Sequence, residues 1–206
     1  MGESGIGKTA ICHQITSDGT DFPKNYIVTQ LSEISVKTIK IPDTNDIVEL
    51  YIIDCSGKEL YQEWLKESWS QANLVIAVYD VTREESFNKV SKVNKFPIWN
   101  WYYSEFKYVI FTPYLQWVEL VSHSAKKEQG ENNNAKLTGV LLANKTDLED
   151  RRIISPKLGT DLAGQLGLMY FECSAKDNKD VENPIYFLAS EWHKVYTESS
   201  ERLSSN

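Results

Sequence analysis

Short, strongly apolar runs alternate with amphipathic stretches along this chain. Residues 47–53 and 75–78 are apolar almost throughout, which is typical of strands that are covered on both faces. The alternation predicts an α/β fold built on a layered, mostly parallel sheet. The predicted strands lie near 33–41, 46–54, 74–80, 138–144 and 168–173, and the predicted helices lie at 8–16, 59–70, 155–166 and 181–197.

A glycine-rich segment precedes the first predicted helix. Residues 2–9 read Gly-Glu-Ser-Gly-Ile-Gly-Lys-Thr and match GxxxxGK[ST], in which glycines let backbone N–H groups wrap a phosphate. Lys8 can reach the β- and γ-phosphates, and the Thr9 hydroxyl can bind Mg²⁺. By itself the pattern fits any P-loop NTPase, or a glycine turn before a helix. The candidate nucleotide-binding residues are Gly2, Glu3, Ser4, Gly5, Ile6, Gly7, Lys8 and Thr9.

The predicted strand at 46–54 ends in a second motif, Asp-Cys-Ser-Gly at 54–57. Open α/β sheets place their ligands at the carboxyl ends of strands, so the Asp54 carboxylate can hold Mg²⁺ through water. Gly57 can offer its N–H to the γ-phosphate because no side chain blocks the approach. Without other motifs, the segment would indicate only a strand that ends in an Asp-Gly turn. Because it follows a phosphate-binding pattern in the chain, a nucleotide site is the better interpretation.

Two further motifs indicate a guanine base. Asp147 can accept hydrogens from N1 and the 2-amino group of guanine, and adenine offers neither of them. Asn144 can tie neighbouring loops together, and the stem of Lys145 can lie over the purine. The segment Ser174, Ala175, Lys176 can present backbone N–H groups to the guanine O6. Such a site rejects ATP because ATP would leave buried polar groups unpaired.

The four motifs, in this order, resemble those of Ras-superfamily small GTPases of the Rab type. Tyr-Asp-Val-Thr at 79–82 and Glu-Ser-Phe at 85–87 are further Rab-like signatures. More narrowly, the chain resembles the Rab-like GTPases of intraflagellar transport complex B. The stretches that carry this narrower resemblance lie at 42–44, 48–50, 54–60 and 144–148.

The resemblance implies the P-loop small-GTPase fold, bound GTP or GDP, Mg²⁺, and slow cycling between nucleotide states. It also implies a transport-complex partner, including a small β-sandwich subunit, and a place in the cytoplasm and the cilium or flagellum. Two other functions stay open. One is a Rab-type regulator of vesicle traffic, and the other is a scaffold whose nucleotide is structural or absent.

One position departs from the Rab pattern in a way that matters for chemistry. Rab proteins carry glutamine after the Asp-x-x-Gly motif, where it orients the attacking water. This chain has Lys58, whose ammonium has three donors and no acceptor. We therefore expect slow GTP hydrolysis. The narrower family shares this lysine.

The first switch segment carries a weaker signal. Thr29 stands where the family has the threonine that binds Mg²⁺ and senses the γ-phosphate. The flanking residues depart from the Rab pattern, which has glycine where this chain has Leu31. Thr29 is therefore one candidate ligand, and Thr20 or no ligand at all are the alternatives.

Composition narrows the class of partner and the compartment. The net charge of −7 and a pI near 5.1 argue against nucleic acid or an anionic membrane as a partner. Three scattered cysteines favour a reducing compartment. The segment 201–206 has no cysteine to prenylate, so we expect no lipid anchor and localisation through protein contacts.

The phosphate-binding loop has only Met1 before it, whereas the family places a central strand there. We therefore expect a sheet that lacks its first strand, as after truncation or a misplaced start codon. Parallel strands lie about 4.8 Å apart, so the gap would be roughly twice that and would leave backbone groups unpaired. Weak nucleotide binding is the expected result.

Residues 93–116 interrupt the predicted third helix. They hold nine aromatic residues and two prolines, and without them Lys92 would join Trp117 in a continuous helix. A retained intron is our preferred interpretation, and a partner-binding loop or a membrane-contacting hairpin are the alternatives. Transcript sequencing would distinguish them. The expected organisation is one domain at 1–197 with an insertion at 93–116, and a disordered tail at 198–206.

Overall fold

The computed structural model describes residues 5–61, 64–65, 72–91, 108–112 and 138–204, and these residues form an α/β sandwich. Two 3₁₀ turns, Glu59–Tyr61 and Glu149–Arg151, lie between the larger elements. The elements in chain order are α1 Lys8–Thr16, β1 Ser32–Lys40, β2 Ile47–Cys55, β3 Leu74–Asp80, α2 Glu84–Ser91, β4 Tyr108–Thr112, β5 Thr138–Asn144, α3 Pro156–Leu166, β6 Met169–Glu172 and α4 Asn183–Ser204.

The five strands that the apolar runs predict all form, with ends within two residues of the prediction. The helix predicted at 155–166 begins one residue later, because Ser155 caps it and its side chain accepts a hydrogen bond from the N–H of Leu158. Most of the helix predicted at 59–70 lies outside the described residues.

The last helix is longer than predicted. It was expected to end at residue 197, but α4 runs to Ser204 and so occupies most of the segment 198–206 that we expected to be disordered. No glycine or proline interrupts this stretch, and its glutamates, arginine and leucine favour helix. The Ser200 hydroxyl also donates to the carbonyl of Tyr196 at 2.9 Å, one turn earlier.

The inner strands β3 and β5 are covered on both faces, whereas β1 and the first half of β2 leave one face exposed, so the two-sided cover expected at 47–53 is found only in its second half. Its strand order is β1-β2-β4-β3-β5-β6, and only the β1–β2 pair is antiparallel among the described strands. Every residue of β3 is buried, and its side chains alternate between two apolar clusters. One cluster includes Ile11 of α1 and Leu188 of α4, whereas the other includes Val90 of α2 and Leu162 of α3.

The centre of the sheet has no open gap between the described strands β2 and β3, although a gap was expected there from the missing first strand. The strand β4 lies between β2 and β3 and is parallel to both, with Ile110 paired to Ile53 on one side and to Val75 on the other. It comes from the segment 93–116, whose other residues, like the predicted helix continuation after 116, lie outside the described residues. The expectation of weak nucleotide binding rested on an open slot, and it stays a prediction.

Candidate functional site

The polar residues of the sequence motifs meet at one edge of the sheet. The parallel strands β2, β3 and β5 carry Asp54, Asp80 and Asn144 at their carboxyl ends, and all three side chains are buried. The amino end of α1 lies at the same edge, since Asn144 donates to the carbonyl of Ile6, two residues before that helix. The topology of the sheet therefore collects residues that are far apart in sequence.

The described part of the glycine-rich loop packs tightly against β5. Gly7 has a φ of 97°, in the left-handed region, and a Cβ at this position would overlap the Asn144 side chain. The side chain of Lys8 is buried. Of the predicted loop residues, Gly2, Glu3 and Ser4 lie outside the described residues.

Three side-chain oxygens crowd together beside the start of α1. The Thr9 hydroxyl donates to Asp54 Oδ2 at 2.5 Å, and the Thr29 hydroxyl lies 2.8 Å from Thr9 Oγ1 and 3.2 Å from the same carboxylate oxygen. The other carboxylate oxygen, Asp54 Oδ1, is buried and accepts no hydrogen bond from the described residues. Hydroxyl and carboxylate oxygens are the ligands that Mg²⁺ prefers, so this cluster fits that ion.

Opposing effects act on the pKa of the Asp54 carboxyl. Burial raises its pKa, although hydrogen bonds from Thr9 and Thr29 and the positive charge of Lys8 act in the opposite direction. A buried carboxylate with an unpaired oxygen is stabilised by a nearby cation. The alternative candidate, Thr20, is exposed, and its hydroxyl donates to the carbonyl of Ser17 at 2.7 Å.

Asn144 joins three segments of the chain. Its Nδ2 donates to the Ile6 carbonyl at 2.8 Å, and its Oδ1 accepts a hydrogen bond from the N–H of Ala175 at 3.1 Å. The next residue, Lys145, donates from Nζ to the Gly5 carbonyl at 2.6 Å. The glycine-rich loop and the two predicted base-binding loops are thus tied together by side chains.

The predicted base-reading residues also lie together. Asp147 Oδ1 accepts a hydrogen bond from the Ser174 hydroxyl at 2.8 Å, and the ammonium of Lys176 lies 3.8 Å from Asp147 Oδ2. The Ser174 hydroxyl accepts in turn from the N–H of Asp177 at 3.1 Å, which fixes its orientation. The carboxylate is therefore held by the loop that was predicted to face the guanine O6.

Comparison with known proteins assigns the fold to a family. A family model described as "Ras family" matches residues 1–110 and 102–194. The chain belongs to the Ras family. It is 36% identical to human "Intraflagellar transport protein 27 homolog" over 200 residues, which cover 97% of this chain and 91% of that protein. Intraflagellar transport protein 27 of Chlamydomonas reinhardtii is 30% identical over 198 residues, covering 95% of this chain and 83% of that protein.

A Rab protein is more distant. "Ras-related protein Rab-8A" of Bos taurus is 26% identical over 206 residues, which cover 100% of this chain and 81% of that protein. The Rab-like character expected of this Ras-family chain is thereby confirmed, as is its resemblance to proteins named for intraflagellar transport. None of the helices that the structure describes is long and apolar enough to cross a bilayer.

The position that was expected to influence hydrolysis, Lys58, lies just beyond β2. Gly57 is buried, whereas the side chain of Lys58 is exposed, and the Lys58 N–H donates to the Ser56 hydroxyl at 3.4 Å. The lysine head therefore extends into solvent from a backbone that is held in place.

Two further residues at the site lie outside the predicted set. Gln14 is buried on α1 and donates to the Ala175 carbonyl at 2.8 Å, so it supports a loop predicted to face the base. A polar residue between Ile11 and Ile15 on a buried helix face was the available signal. The other is Asp80, whose carboxylate lies 2.6 Å from the Lys145 ammonium.

Proposed function

We propose that this Ras-family small GTPase binds guanine nucleotides at the edge formed by β2, β3 and β5, hydrolyses GTP slowly, and serves the intraflagellar transport machinery. The observation that carries the proposal is the convergence of the Thr9–Thr29–Asp54 oxygen cluster with the Asn144–Ala175 loop contact. One part suits a metal-bound phosphate, and the other suits a purine base.

Thr9 and Thr29 would supply hydroxyl oxygens to Mg²⁺, and Asp54 would hold the ion through water. The ion, when bound, neutralises charge on the β- and γ-phosphates. This assignment is supported by the crowding of three oxygens, two from threonine hydroxyls and one from the Asp54 carboxylate. The two hydroxyls bring only two hydrogens to this group, so the oxygens have lone pairs that a cation could bind. The buried Lys8 would place a fixed positive charge beside the same phosphates.

Asp147 would select guanine. Its side chain is only 7% exposed, so water cannot readily replace a missing hydrogen bond there. A base that leaves the carboxylate without a donor would therefore bind at a cost in free energy. Asn144 would hold the loops at their working distance, and the stem of Lys145 would cover the purine. Ser174, Ala175 and Lys176 would line the O6 side of the base.

Slow hydrolysis would follow from Lys58. An exposed ammonium can donate to a phosphate but cannot accept a hydrogen from water, so it would not orient the nucleophile as an amide carbonyl does. Gly57 would still be able to offer its N–H to the γ-phosphate. The protein would therefore remain long in its GTP state.

The transport role is supported by the relatives. Proteins named for intraflagellar transport match nearly the whole chain, at 36% identity for the human protein and 30% for that of Chlamydomonas reinhardtii. By the same resemblance the chain would bind a small β-sandwich subunit and work in the cilium or flagellum. Co-purification of tagged protein from ciliated cells tests this: transport-complex subunits should be recovered, whereas recovery of vesicle-membrane effectors alone would favour a Rab-type regulator.

The nucleotide assignment is tested by a change of base preference. Asp147→Asn replaces an acceptor with a donor, so the variant should lose GDP and gain xanthosine diphosphate, with the ratio of the two affinities changing at least about a hundredfold. Fluorescent nucleotide titration gives both affinities. Asp150→Asn, at an exposed position three residues away, is the matched control and should keep the preference for GDP. Equal binding of ADP and GDP by the unaltered chain would contradict the assignment.

A further inference from the structure

We propose that Asp80 is a positioning residue for nucleotide retention: its buried carboxylate holds the Lys145 ammonium against the Gly5 carbonyl, so that the base loop and the phosphate loop move as one unit. This inference rests on the proposed guanine-nucleotide site. It concerns a residue outside the four motifs that define that site.

Asp80 is buried at the end of β3, and its side chain is 1% exposed. A buried charge of this kind is costly unless it is compensated. Oδ1 is compensated locally, because it accepts hydrogen bonds from the Thr82 N–H at 2.9 Å and the Thr82 hydroxyl at 2.7 Å. These contacts shape the turn after β3.

Oδ2 has a different partner. The Lys145 ammonium lies 2.6 Å from it, and no described group donates to Oδ2 with the geometry of a directed hydrogen bond. The ammonium is thus the cation that balances this oxygen within the described residues. Strand register makes the meeting possible, since Asp80 pairs with Asn144 and the N–H of Val81 donates to the Asn144 carbonyl at 3.1 Å.

The ammonium is shared between the carboxylate and the phosphate loop. Lys145 Nζ also donates to the Gly5 carbonyl at 2.6 Å, and the neighbouring Asn144 donates to the Ile6 carbonyl at 2.8 Å. Consecutive base-loop side chains therefore bind consecutive carbonyls of the phosphate loop. Asn144 is held by β5 and by Ala175, whereas the head of the longer Lys145 is held by Asp80.

The Lys145 side chain starts from a backbone in the left-handed region, with a φ of 71°, which non-glycine residues rarely adopt. Its side chain is 29% exposed, so solvent competes for the ammonium. Without the Asp80 charge, the ammonium would leave Gly5 more often, and the stem that is proposed to cover the purine would move with it.

The test is the release of N-methylanthraniloyl-GDP from the full chain in excess GDP. Asp80→Asn keeps the shape and removes the charge, and should speed release about tenfold, the cost of one charge-assisted contact. Lys145→Met should also speed release, and the double variant should release no faster than Lys145→Met alone. Thr82→Val is the matched control, because it removes an Oδ1 contact only, and should stay within about twofold of the unaltered chain.

Wild-type release from Asp80→Asn, or independent, multiplying effects in the double variant, would overturn the inference. If Asp80→Asn does not fold, Asp80→Glu, which displaces the same charge by one methylene, takes its place and must also release faster. If the unaltered chain binds no nucleotide, the proposed function fails, and a second measurement then decides about Asp80.

That measurement is lysine acylation of the nucleotide-free chain, followed by mass spectrometry. Acylation requires the amine to leave its acceptors, so Lys145 should react several-fold faster in Asp80→Asn than in the unaltered chain. Lys176, which is 65% exposed, is the internal control and should react equally in both. Equal labelling of Lys145 in the two proteins would show that Asp80 does not position it.

Discussion

The Thr29 hydroxyl lies 2.8 Å from the Thr9 hydroxyl, although 20 residues separate them in the chain. Both hydroxyls contact the same oxygen of Asp54. The segment that carries Thr29 therefore contacts the start of α1 and the end of β2 through these oxygens, and a cation beside them would be held by all three residues.

Thr29→Ala tests whether this contact matters for nucleotide retention. The variant should lose the switch-segment ligand, so the ratio of fluorescent GTP-analogue release rates without and with Mg²⁺ should fall about tenfold. Stopped-flow measurements with EDTA and with Mg²⁺ provide the ratio. Thr20→Ala is the control, because that hydroxyl bonds only locally to Ser17 among the described contacts. If the ratio of release rates falls in Thr20→Ala but not in Thr29→Ala, then Thr20 rather than Thr29 is the Mg²⁺ ligand.

Lys58→Gln tests the cause of the proposed slow hydrolysis. The amide restores an acceptor for the attacking water, so single-turnover GTP hydrolysis should speed up by about tenfold or more. Lys58→Met removes the charge without adding an acceptor and should hydrolyse at the original rate. If Met and Gln accelerate equally, the positive charge is responsible; if neither does, the lysine is not the cause.

Leu31 occupies a backbone conformation that suits glycine. Its φ is 61°, and its carbonyl accepts a hydrogen bond from the N–H of Ser56 at 2.8 Å. Leu31→Gly should change the free energy of unfolding by less than about 1 kcal/mol, because relieved strain is offset by the greater freedom of the unfolded chain. Leu31→Val should lower it by about 1 kcal/mol or more, since a β-branched residue tolerates this region worst.

Urea unfolding measures these differences. Leu60→Val is the matched control, because Leu60 is also exposed but has no positive φ, and it should change stability little. Equal effects of valine at 31 and 60 would mean that the left-handed backbone at Leu31 carries no strain.

Glu172 should make stability depend on pH. Burial acts to raise its pKa, but hydrogen bonds from Arg152 and Tyr170 outweigh it, so the pKa is lowered. The ionised form is thus favoured in the folded protein. Its contribution is present above the ordinary pKa of glutamic acid and is lost as the pH falls through the lowered folded value.

Glu172→Gln should therefore lower the free energy of unfolding at pH 7 by about 1 kcal/mol, a figure reduced for the partial exposure of the pair. The difference should shrink below about pH 4. Glu149→Gln removes the more exposed carboxylate on Arg152 and should have little effect at either pH. A Glu172→Gln difference that does not vary with pH would show that shape rather than charge is lost.

How much could be predicted depended on the kind of signal. The central strands were predictable because long apolar runs indicate burial on both faces, as the all-buried β3 shows, whereas β1 is only half buried. The meeting of the motif residues at one edge of the sheet was predictable because open α/β sheets gather the carboxyl ends of their strands there. Thr29 was left open because the switch segment has no periodic pattern, and only the tertiary contact with Thr9 and Asp54 separates it from Thr20.

Two features depended on the arrangement of the sheet. The ion pair of Asp80 with Lys145 follows from strand register, which no local pattern reveals. The strand β4 has a suitable composition, Tyr-Val-Ile-Phe-Thr, but it is short and lies in an aromatic segment with prolines nearby. Its place depends on the backbone groups that β2 and β3 leave available.

The position of β4 changes what alternative splicing of this message would mean. A product without residues 93–116 would lose the backbone between Ile53 and Val75, and not merely a surface appendage. Long and short isoforms should thus differ in the cooperativity of heat unfolding, and calorimetry of the two would register it. Removal of this segment would then act directly on the architecture that holds Asp54 and Asp80 apart.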